Sequence, residues 1–226
     1  MTFVKDKSSI KYYMLAVVTL LCIYSSWISN LFEPLYDNIY YGNLVKLFIS
    51  ATNLFLWLIE FLSIVFVCKK LKIQLFQSKE ENKKEMPLWQ LCLLFGLVVL
   101  PMLVISIYLN FKVKLIYSLG IRVTSVNLAC NAVEIVSWIV RMMLVVLFIA
   151  CIQRAFETNF KFNKKIVIPW GAIFCFLTIG LIDFFAFPVD LNWFYLVCSF
   201  YYGIIYLVAN RKYLNSFVLC YLIWLL

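Results

Sequence analysis

The chain has 226 residues, 65% hydrophobic and 14% charged, with a mean hydropathy of +0.95 and a formal net charge of +9. A soluble globular domain is about half apolar and a quarter charged, so folding in water would leave large apolar surface uncovered. Histidine is absent, which excludes His-dependent zinc sites, Ser-His-Asp triads and imidazole acid–base chemistry.

The apolar residues come in long continuous runs, such as Leu91 to Val104 and Val140 to Cys151. Backbone in lipid must satisfy its own hydrogen bonds, which leaves helices or closed barrels. Barrel strands would alternate over about 10 residues, so the expectation is an all-α, multi-pass transmembrane helical bundle.

Hydropathy in chain order predicts six spans: Tyr13 to Leu31, Val45 to Cys68, Leu88 to Leu109, Ala129 to Gln153, Ile166 to Phe187 and Leu191 to Ala209. The first has a basic start but no small-residue cleavage site, and reads as a retained anchor. A last apolar stretch, Tyr213 to Leu226, is about 21 Å long as a helix, too short to cross unaided; six or seven membrane helices result. The predicted loops carry fifteen cations on one side against four on the other. The positive-inside rule then puts the N-terminus in the cytoplasm, at the cell membrane. Residues 69–87 form a cytoplasmic charged loop and 154–165 a cytoplasmic basic loop, within one membrane domain covering residues 1–226. The net charge is this bias plus attraction to anionic headgroups, and no basic–aromatic cluster points to nucleic acid.

Aligning residues 45–95 with 126–176 gives ten identities, among them Trp57 with Trp138 and Trp89 with Trp170. This suggests a parallel hairpin repeat, 45–109 with 126–187. Asn53, Trp57 and Glu60 share one helix face, and Glu134, Trp138 and Arg141 share the matching one. With Asn131 they outline an intramembrane polar seam: Asn53, Glu60, Asn131, Glu134 and Arg141. Buried ionisable groups cost about 2.5–3.5 kcal/mol each on insertion scales and need partners. Glu134 is roughly 10.5 Å of helix rise from Arg141, so the expected partner of Arg141 is Glu60. Asp183, near the outer end of the fifth span, is a secondary candidate that could instead reach the interface.

The eight cysteines are scattered singly, without the spacing of a metal or redox site, and suit membrane packing. Paired aspartates, Gly-x-Ser-x-Gly, a P-loop and intramembrane protease patterns are all missing. The chain therefore reads more as a non-enzyme than an enzyme, chemistry on carboxylates or cysteine alone being left open, with no cofactor and no metal. Two other functions remain. One is a small-solute transporter or binding subunit with its polar seam between the second and fourth spans. The other is a non-catalytic membrane subunit or regulator acting through helix and loop contacts with a membrane partner or a second copy, its charges structural.

Overall fold

A computed structural model describes residues 7–25, 42–71, 73, 87–108, 125–160, 168–186 and 192–225. These residues form seven helices and no strand: α1 (Lys7–Ser25), α2 (Gly42–Lys70), α3 (Leu88–Tyr108), α4 (Ser125–Asn159), α5 (170–186), α6 (Asn192–Val208) and α7 (Tyr213–Leu225). Long runs of Leu, Ile, Val, Phe and Ala, with few Gly or Pro, account for the helices. Hydroxyls inside them fold back on their own turns: Thr19 donates to Leu15 O at 2.7 Å, Thr178 to Phe174 O at 2.6 Å and Ser216 to Lys212 O at 2.7 Å. That pattern satisfies a polar group where no water competes.

α4 is the axis of the bundle. Its most apolar 18-residue window, within Ala132–Asn159, is 72% buried, against 17% for the corresponding window within Leu47–Lys70 of α2. α1, α2, α5 and α7 all lie against α4. α6 packs mainly on α5 and also meets α3 and α7. Outside this core the peripheral helices turn large apolar side chains outward: Met14 and Leu21 on α1, Phe55 and Phe66 on α2, Trp89 and Phe95 on α3.

The helices alternate in direction. The start of α1 meets the end of α4, where Tyr13 packs edge-on to Phe156 at 5.5 Å and accepts a hydrogen bond from Asn159 at 3.4 Å. At the same end the Gln153 amide bridges to α5, donating to Ile168 O and accepting from Gly171 N. Arg211 reaches Glu157 at 2.7 Å. The start of α3 joins through a reciprocal amide pair, Gln90 with Asn210. α6 closes there in a Schellman turn: Arg211 N donates to Tyr206 O and Asn210 N to Leu207 O, with Asn210 at φ 55°. Asn is the side chain that best tolerates this left-handed position after Gly.

Two of the helices are long and apolar enough to cross a membrane, Leu47–Lys70 and Ala132–Asn159. The remaining expected spans appear among the described residues as shorter apolar helices: Ser9–Ser25, Leu88–Val104, Trp170–Phe185 and Trp193–Val208. Six full spans are therefore not established. Helices of this shorter class sit at or below the lower limit of the length that crosses a bilayer core. The last stretch, Tyr213–Trp224, is a helix packed into the core through Phe217, Cys220 and Ile223. The hairpin correspondence is not carried into packing, since α4 lies along α5 while α2 and α3 make little contact. Of the expected loops, 69–87 begins as the last residues of α2 and 154–165 as the end of α4, which stays helical to Asn159, because the helices run past the apolar stretch; residues 72, 74–86 and 161–165 fall outside the described residues.

Candidate functional site

Arg141 is the charge at the centre of α4, on the face that meets α5 and α7, and only 7% of it is exposed. Its partner is Asp183. Nη2 donates to Oδ1 at 2.8 Å and to Oδ2 at 3.0 Å. Removing both charges from water is costly, and the close, doubly bonded geometry offsets part of that cost. The guanidinium also lies over the Trp138 ring, 4.6 Å from its centroid, a favourable cation–π placement. Trp138 in turn stacks on Trp224 of α7 at 5.0 Å.

The backbone of α5 sets the position of Asp183. Between two α-helical segments, Trp170–Cys175 and Leu181–Ala186, the chain forms a π-helical turn over Phe176–Gly180. Such a turn inserts one residue into the helix and occurs often at functional sites. Tyr24, from α1, closes the cluster. Its hydroxyl stands between two acceptors, Ile179 O at 3.3 Å and Asp183 Oδ1 at 3.4 Å. Three helices thus contribute to one buried ion pair.

Beside the pair is a cavity offering about 30 Å³ to the centre of a water-sized sphere, room for a water molecule or two. Trp138, Arg141, Asp183, Tyr195, Tyr202 and Trp224 are among its walls. Nη2 is occupied by Asp183, while Nε and Nη1 donate to no described residue.

The expected pairing of Arg141 with Glu60 does not form. Glu60 is half-buried on α2 and accepts a hydrogen bond from the Ser25 hydroxyl at 3.0 Å. The end of α1 takes up the side chain that was expected to cross to α4. Glu134 is half-buried one turn before Trp138, and within electrostatic reach of Tyr195. Asn53 is half-buried on α2, and Asn131 is helical with its side chain outside the described residues. The structure therefore brings Arg141 together with Asp183, and leaves Glu60 in a separate contact.

Tyr24, Tyr202 and Trp224 were not among the expected site residues. Depth counting gives no clear signal for Asp183. Arg141 lies about 18 Å of helix rise from Gln153, where the predicted fourth span ends. Asp183 lies about 25 Å of helix rise from Ile166, where the predicted fifth span begins. The two depths differ by more than one helix turn, so counting from the predicted ends does not single out this pair. Among the described residues no group of His, Cys, Asp and Glu is arranged to hold a metal ion. No protein-family model matches the chain, and neither a curated protein nor a solved structure is found similar to it.

Proposed function

We propose that the chain is a multi-pass integral membrane protein, one membrane domain with its N-terminus on the cytoplasmic side, that binds a small polar solute at Arg141 and Asp183 as a transporter or binding subunit. The observation that carries this reading is a buried ion pair beside a cavity, with guanidinium donors left over. Ionisable groups at such depth are expensive and usually serve a pathway or a ligand. The outward-facing Leu, Phe and Met side chains of α1, α2 and α3 support immersion in lipid, where they need no further cover. The cationic ends of the helices support the orientation: Lys69, Lys70, Arg211 and Lys212 would all lie toward the cytoplasm.

Thiol accessibility tests the reading. Cysteines placed at Ser199 and Tyr202, in a background without reactive native cysteines, should react with a small hydrophilic maleimide in sealed vesicles. Lack of reaction from both sides would sink the solute-binding reading, and release of the protein by alkaline carbonate would sink membrane integration.

A second reading has its own observation. Tyr24, Arg141 and Asp183 tie three helices together, which is what an interhelical clamp in a non-catalytic subunit or regulator would do. In that case the engineered cysteines stay unreactive while loss of either partner alone still destabilises the protein.

A further inference from the structure

We propose that the Arg141 cavity takes one small monovalent anion together with one proton, the proton going to Asp183 as the anion replaces its carboxylate on the guanidinium. This rests on the solute-binding reading above and names the class of solute.

Three observations carry it. First, the guanidinium has five N–H donors, yet among the described residues only Nη2 has a hydrogen-bond partner, and both its bonds go to one carboxylate. Tyr195 and Tyr202, both hydroxyl-bearing residues, belong to the same cavity wall as the guanidinium. Second, the space suits an ion of halide or formate size: about 30 Å³ for the centre of a water-sized sphere admits a ligand of few atoms. Third, the charge must balance. Arg141 and Asp183 together are neutral. An anion added alone would leave a costly net negative charge in an apolar interior. An anion added with a proton leaves the site neutral before and after.

The Tyr24 hydroxyl fits the exchange. Its single proton has two acceptors at nearly equal distance, Asp183 Oδ1 at 3.4 Å and Ile179 O at 3.3 Å. When Asp183 is protonated, Tyr24 can turn to the backbone carbonyl without losing a partner. The groups facing Asp183 are Arg141 from α4, Tyr24 from α1, Tyr195 from α6 and Cys175 on its own helix. Arg141 is the only cation among them. In the exchange the hydrogen bonds between Arg141 and Asp183 break, and bonds from Arg141 to the anion form. A proton from the same aqueous side bonds to an Asp183 oxygen, and no electron moves.

The test uses the full chain in lipid nanodiscs, with sodium formate and sodium chloride as probes. Calorimetry should show saturable binding of at least one of them, with uptake of one proton per anion in weakly buffered solution. With one proton taken up per anion, Kd should rise about tenfold per pH unit. Asp183→Asn should bind with no such pH dependence, and Arg141→Gln should not bind. Should Arg141→Gln fail to fold, the wild-type pH profile and Asp183→Asn decide the matter. Absence of saturable binding to both probes in folded wild-type protein, or binding without proton uptake, overturns the proposal. Thiol access to the cavity without anion binding would sink this inference alone, whereas lack of access would sink the broader reading beneath it.

Discussion

Removing one member of the Arg141–Asp183 pair leaves its partner charged, buried and short of hydrogen bonds. Breaking a buried pair in this way costs about 3–5 kcal/mol, while replacing both partners is often close to neutral. We therefore expect Arg141→Gln and Asp183→Asn each to lower unfolding stability in mild detergent by about 3–5 kcal/mol. The double variant should recover most of that loss, as measured by a denaturation cycle. Additive losses would show that the two charges act independently. The matching cycle with Glu60→Gln and Arg141→Gln should show little coupling, because Glu60 is held by Ser25. At this scale the sequence was legible in part. A lone arginine inside an apolar run announces that it needs an acid, but the chain offers three, Glu60, Glu134 and Asp183. The choice among them depends on which helix faces α4 at that depth, and one-dimensional periodicity carries no information about neighbours.

Between elements, contact distance is set by the smallest side chains. A Cβ built on Gly203 of α6 would run into the backbone of Ala172 on α5, so the two helices approach as closely as glycine permits. Gly180 is also tight, but there a Cβ would meet mainly the Ser199 hydroxyl, which can rotate away. Gly203→Ala should therefore be the more damaging change, at about 1–3 kcal/mol or above, and Gly180→Ala should be milder. Melting curves of both variants in detergent would check the order, and the reverse order would contradict this packing of α5 on α6. Helix positions were readable from hydropathy: the predicted spans from Val45, Leu88, Ala129 and Leu191 correspond closely to α2, α3, α4 and α6. Which pairs touch was not. The alignment of residues 45–95 with 126–176 predicted equivalent hairpins, yet α2 lies against α4 and not along α3. Similar apolar surfaces can pack in many combinations, because lipid-facing and protein-facing residues are chemically alike.

For the whole molecule, burial is graded from the centre outward. Cys151, Cys175, Cys198 and Cys220 are buried, whereas Cys92 on α3 is exposed. If the outer face of α3 lies in lipid, a membrane-permeant maleimide should label Cys92 first among these five. The other four should react only after unfolding, at rates following loss of helical signal. Mass spectrometry of the labelled peptides would check this, and early labelling of Cys151 would refute α4 as the axis. Composition pointed to a membrane, since it records how much apolar surface must be covered, and the continuous length of the apolar runs pointed to helices. It records nothing of depth, so it could not show that Tyr213–Leu225 packs inward, with the Tyr213 hydroxyl donating to Met143 O at 2.8 Å.

The π-helical turn at Phe176–Gly180 has a consequence for how the ion pair arose and how it can be lost. Each residue in an α-helix advances the direction of the next by about 100°. Straightening this turn into a regular α-helix at the same residue count would carry Asp183 about a quarter of a turn away from Arg141. Deleting one residue between Phe176 and Gly180 would instead take out the inserted residue and leave Asp183 close to its present direction. In this helix the wider turn takes up one residue's worth of rotation, so turn and residue count together decide whether the acid meets its base.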